Sequence, residues 1–204
     1  MRRQLVPAFV SIVLFTVVLG IAYPLAVTGV GKVAFEHKAD GSFVSVNGRR
    51  VGSTLIGQAF VDSKGHPIRK YFQSRPSAAT GVEGRTAAGY DPTLSAGSNL
   101  GPTNPKLIEL VARRARAYRK LNGLGPDVEV PVDAVTASGS GLDPDISIAN
   151  ARLQAARVAA ARGLSRSRVL ALIDRHTDGR PLGFIGEKTV NVLDLNLALD
   201  ALKS

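Results

Sequence analysis

The chain reads as an α+β protein: a single N-terminal transmembrane helix followed by one extracytoplasmic α+β domain. Three observations predict this. No charged residue occurs between Arg3 and Lys32. Shortly afterwards an Asn-Gly pair divides two runs of strand-forming residues. Beyond that, stretches of helical periodicity opened by Asn or Ser follow one another, interrupted by short apolar runs rather than by regular strand–helix repeats.

The uncharged run, QLVPAFVSIVLFTVVLGIAYPLAVTGVG, would be about 42 Å long as a helix, against about 30 Å of hydrocarbon. A cleaved secretory signal has a much shorter apolar region, about 7–15 residues, so a retained helix over residues 7–29 is expected. Pro24 lacks an amide hydrogen and predicts a kink near the outer end. Arg2, Arg3 and the amino terminus flank the entry side, while Glu36 offsets one of Lys32 and Lys38 on the exit side. This bias favours a cytoplasmic segment 1–6 and places residues 30–204 outside the cytoplasm, in a single-pass protein of the cell membrane. Cysteine is absent, which excludes a disulfide framework and a thiolate zinc site.

The hairpin comes first in the domain: in FVSVNGRRVGS, Asn47-Gly48 suits the two positive-φ positions of a type I′ turn. STLIGQAF (53–60) reads as a further strand or strand edge, residues 65–78 as irregular, and the Gly/Ala/Thr-rich residues 78–98 as a surface loop with little to bury. Asn104 is the expected cap and Pro105 the first residue of a helix that Gly123 ends. VPVDAVTAS predicts a short strand. Ser147 opens a second helix closed by Gly163, Leu164 and Ser165 staple and cap a third, and a brief strand over 189–192 leads into a last helix.

The net charge is +10, and much of it gathers in RRARAYRK (113–120). Lys106, Arg113, Arg116 and Lys120 recur at helical spacing, while Leu107, Leu110, Val111 and Tyr118 lean to another side. This is a solvated basic face or a contact for anionic headgroups or an acidic partner. Nucleic acid is not expected, because an exported domain does not meet it. The helix-turn-helix-like spacing of Ala159, Gly163, Leu164, Ser165 and Val169 is read as two helices packed through a glycine turn. His37, His66 and His176 are scattered and predict no metal site.

Two loops rich in Gly, Ser and Asn stand out: SAGSNLGPTNP (95–105) and VTASGSGLDPDIS (135–147). Each leads into a helix and offers backbone amides, but neither holds a P-loop lysine. Tight connection and protein docking are both open to them, with Ser98, Asn99, Gly101, Asn104, Ser138, Gly139, Ser140, Gly141 and Asp143 as the docking candidates. A membrane-anchored hydrolase using the Ser/Gly/Asp loop 136–147 is the alternative from another class, although TASGSGL is not a nucleophile elbow.

LIGQAF, YFQSRPSA, SAGSNLGPTNP, VPVDAVTASGSGLDPDIS, QAARVAAARGL and VNVLDLNLALD, in this order behind one anchor, resemble the C subunit of Kdp-type potassium-transporting P-type ATPases. Two departures are Ala96, where that family commonly repeats Gly, and Asp145, where His is frequent. The resemblance implies a non-catalytic accessory subunit. Its partners would be a channel-like potassium-binding subunit, a P-type ATPase subunit and a small single-helix subunit. It also implies a catalytic chaperone that raises ATP affinity of the pump subunit, with Gln154 matching a family glutamine proposed to engage nucleotide. No cofactor is expected to bind tightly; ATP would enter through the pump subunit. An extracytoplasmic domain does not reach cytoplasmic ATP, so any effect would be a coupling free energy of about 1–3 kcal/mol. On that topology Gln154 is a packing or docking residue.

Overall fold

The structure, a computed structural model, describes residues 2–80 and 89–202. It divides into two compact units, Met1–Val51 and Gly52–Ser204.

The first unit is built on the uncharged run. Helix α1 (Arg2–Phe15), a π-helical segment (Thr16–Ala22) and helix α2 (Tyr23–Ala34) follow without a break. Arg3–Ala34 is long and apolar enough to cross a membrane, and none of its most apolar window is buried against protein. The π-helical segment lies just ahead of Pro24, and the Tyr23 N–H reaches back to the Val18 carbonyl. Widening the turn in this way moves the preceding carbonyls away from the proline ring. A short helix α3 (Glu36–Ala39) leads to strands β1 (Phe43–Val46) and β2 (Arg49–Ser53). Asn47 and Gly48 have φ of 51° and 77°, both positive as the type I′ turn requires.

The second unit holds α4 (Pro105–Asn122), α5 (Val132–Val135), β3 (Asp145–Ser147), α6 (Ile148–Arg162), α7 (Arg166–Arg175), β4 (Thr177–Asp178), β5 (Thr189–Asn191) and α8 (Val192–Ala201). The sheet order is β3-β5-β4, antiparallel throughout, with Val190 opposite both Ile146 and Thr177. Ile146 and Val190 join Phe72, Val158, Val169, Ile173, Leu195 and Leu199 in one core. Helix starts follow local chemistry. The side chains of Asn104, Ser147, Ser165 and Asn191 accept N–H bonds from Lys106, Asn150, Arg168 and Asp194, while Gly123 and Gly163 close α4 and α6 in the left-handed conformation. Val169 and Ala159 are buried where α6 and α7 pack, so the helix-turn-helix-like spacing serves the core.

Several expectations are corrected. STLIGQAF makes a turn and an isolated Ser53–Ile56 bridge instead of a strand, because its backbone is committed to other loops. Gly57 N–H donates to Leu142 O at 2.8 Å, and Gln58 O accepts from Ser74 Oγ, also at 2.8 Å. VPVDAVTAS forms α5 rather than a strand, which turns Asp133 toward Ser147. Residues 145–147, read as the end of a loop, are β3. Of the 78–98 segment, residues 81–88 lie outside the described residues, but its flanks are not empty surface. Ala79 and Tyr90 are buried, and the Tyr90 hydroxyl donates to Arg75 O at 2.7 Å.

Candidate functional site

Helix α6 is Ala-rich, yet Asn150, Gln154 and Arg157 recur on one face at spacings of four and three. All three are buried beside Ala151, Ala155 and Val158. Polar groups so placed need partners. Gln154 finds them in the extended segment Phe72–Gln73: its Oε1 accepts the Gln73 N–H at 2.7 Å and its Nε2 donates to the Gln73 carbonyl at 3.0 Å. Asn196 of α8 does the same for the preceding residue, accepting Phe72 N–H at 2.8 Å and donating to Phe72 O at 3.0 Å. Successive residues of an extended chain present their polar groups to opposite sides. Two carboxamides therefore replace two neighbouring strands.

The remaining capacity of Gln154 is also used. Arg157 Nη2 donates to Oε1 at 2.7 Å, and Nε2 donates a second time to Asn150 Oδ1 at 2.9 Å. Arg157 spends its other donors on Asn122 Oδ1, Tyr71 O and Arg69 O. Burial lowers its pKa to about 10. Asn150 accepts the Tyr118 hydroxyl at 2.8 Å and donates to Asp133 Oδ2 at 2.9 Å, and burial pushes the Tyr118 phenol pKa up. Asp133 in turn holds both the N–H and the hydroxyl of Ser147.

The two Gly/Ser/Asn loops cross each other. Ala96 N–H donates to Ser140 O at 2.9 Å, and Ser95 Oγ reaches the same carbonyl. A Cβ on Gly97 would stand 2.9 Å from Gly139 O. One on Gly141 would stand 2.5 Å from Ala96 O and 2.8 Å from the Ala79 methyl, and Gly141 has φ of 72°. Only glycine fits there. Segment 76–79 completes the knot: Ser138 N–H donates to Pro76 O and Ser77 Oγ to Gly141 O.

The docking candidates separate accordingly. Ser98, Asn99, Gly101, Gly139 and Ser140 are exposed. Gly141 and Ser138 face inward, Asn104 is spent on its helix cap, and Asp143 pairs with Arg75 at 2.8 Å. Ser138 Oγ is buried with no hydrogen-bond partner, and Ser140 Oγ accepts the Leu142 N–H. Neither hydroxyl bonds to a histidine among the described residues. Sequence reasoning missed Gln73, Asn196, Asn150 and Asp133. The amide and guanidinium stripe on an apolar helix face was the available signal for a buried network, but nothing local names its partners.

A family model described as "K+-transporting ATPase, c chain" matches residues 5–201. A Mycobacterium tuberculosis protein named potassium-transporting ATPase KdpC subunit is 55% identical over 202 residues, covering 99% of this chain and all of that one. Proteins of the same name from Caulobacter vibrioides and Kineococcus radiotolerans are 54% and 52% identical, covering 98% and 97% of this chain and 94% and 93% of their own. Likeness of this extent runs through the apolar helix, the crossed loops and the α6 network alike, and the chain belongs to the KdpC family of potassium-transporting ATPase subunits.

Proposed function

We propose that this chain is a non-catalytic accessory subunit of an ATP-driven potassium-uptake complex, acting by docking and not by chemistry. The apolar helix anchors it in the cell membrane with a cytoplasmic N-terminus. The α+β domain, on the outer side, contacts the channel-like potassium-binding subunit. The P-type ATPase subunit and a small single-helix subunit complete the assembly. The observation that carries this reading is the crossing of loops 95–105 and 135–147. It braces a tip whose outward residues, Ser98, Asn99, Gly101, Gly139 and Ser140, have no place in the core. A braced tip loses little conformational entropy on binding.

Any catalytic-chaperone effect on ATP affinity then passes through the assembly as a coupling free energy. The occupancy of Gln154 supports this, since both lone pairs and both N–H groups of its amide are already engaged inside the domain.

The test is co-purification with potassium-stimulated ATPase activity after co-expression of all four subunits. Gly139→Leu should lower recovery of the complex while the isolated chain keeps its unfolding transition. Full recovery overturns the docking role. Protease protection in oriented vesicles checks the compartment: digestion of the domain from the cytoplasmic face alone would reverse the orientation and reopen direct nucleotide contact.

A further inference from the structure

Between segment 65–76 and helix α4 runs a groove of about 600 Å³ that the docking tip does not include. Arg69, Arg75, Arg114 and Lys120 line it with His66, and no Asp or Glu does. Ala117 and Leu121 give its floor an apolar character. Arg75 is neutralised by Asp143. Arg69, Arg114 and Lys120 make no ion pair among the described residues; Arg69 and Arg114 donate to the main-chain carbonyls of Leu121 and Val135 instead. A half-buried guanidinium without a counter-ion is a cost in the free domain, and burial together with the neighbouring Arg113 lowers the Arg114 pKa.

We propose that this groove receives an extended acidic segment of a partner protein, with carboxylates two or three residues apart and apolar side chains between them. Spacing decides for a peptide. Arg114 and Lys120 lie six residues apart on α4, about 9 Å along the axis, too far for one phosphate to bridge. Carboxylates two or three residues apart on an extended chain stand about 7–10 Å from each other. The apolar floor then takes the intervening side chains. A second copy of this chain is a poor occupant, because at a net charge of +10 two copies repel.

This site lies beside the docking role above and rests on it for the assembly that supplies the partner. The test uses the full chain co-expressed with the other pump subunits, carrying photoreactive benzoylphenylalanine at the exposed His66 or, separately, at Gly139. Mass spectrometry should find the His66 cross-link on a partner segment bearing spaced Asp or Glu. A cross-link from His66 to lipid, to a second copy or to a segment without carboxylates overturns the proposal, as does none when Gly139 still cross-links. Loss of both cross-links overturns the docking role as well.

Charge reversal gives a second readout. Arg69→Glu with Lys120→Glu should reduce complex recovery about tenfold or more. Arg166→Glu with Arg168→Glu makes the same change in net charge on the exposed start of α7 and should cost less than about twofold. Equal losses would assign the effect to the overall field, and no loss in either would remove the groove from assembly; each result overturns the proposal.

Discussion

Gln154 and Gln73 exchange two hydrogen bonds across 81 positions of sequence, the main-chain N–H donating at 2.7 Å and the side-chain amide returning a donor at 3.0 Å. With Asn196 on the other side of Phe72, this pair turns an irregular segment into a hydrogen-bonded element in which Phe72 is buried and Gln73 half-buried. Phe72 can then be the largest side chain at the centre of the core although it belongs to no strand.

Replacing Gln154 with Ala would strand the Gln73 N–H and carbonyl in a half-buried site. At about 1–3 kcal/mol per unsatisfied group, and toward the low end where water has partial access, the two groups should cost the variant about 2–3 kcal/mol. Urea unfolding of the full chain in detergent measures this. Gln154→Glu should also destabilise, because a carboxylate cannot donate to Gln73 O or Asn150 Oδ1. Unchanged stability in both variants would show that the amide is not structural.

Gly141→Ala and Gly139→Leu should part company. The first places a methyl against Ala96 O at positive φ and should cost about 2–4 kcal/mol from backbone strain and overpacking. At Gly139 a Cβ meets nothing within 4 Å, so stability should stay within about 0.5 kcal/mol. Thermal unfolding of the two variants side by side decides, and equal losses would contradict the crossing.

Ser138→Ala should be neutral or stabilising by up to about 1 kcal/mol, since the hydroxyl it removes is buried without a partner. Complex recovery and potassium-stimulated ATPase activity should be unchanged. A loss of activity with stability intact would give Ser138 a chemical role that its surroundings do not provide.

Burial, joined by the charges of Asp143 and Asp178, holds the Asp145 carboxyl above its ordinary value of 3.8, against the hydrogen bond from Thr189. Between the ordinary and the raised value the folded chain binds more protons than the unfolded one. Its contribution to stability is therefore greatest on the acid side and falls as pH rises through that window. Asp145→Asn can keep an acceptor for Thr189 and removes the titration. Its melting temperature should exceed that of the unchanged chain at pH 7, and the difference should shrink toward pH 4. A constant difference across that range would place the effect elsewhere.

What was legible in the sequence is what depends on neighbours a few residues away. Asn104, Ser147 and Ser165 each cap a helix with an N–H two or three positions on, Asn47-Gly48 sets its own turn, and the uncharged helix needs no partner to be apolar. The basic face of α4 was readable for the same reason. Tertiary structure alone decided the rest. Strand β3 is three residues long, too short for any periodic signal, and exists because β5 pairs with it from more than forty positions away. The glycines of loop 135–147 invited a docking role, yet Gly141 is consumed by contact with Ala96 and Ala79 inside the same domain. A glycine requirement states only that some backbone comes close. Which backbone it is follows from long-range packing, and so does the partner of a buried amide such as Gln154.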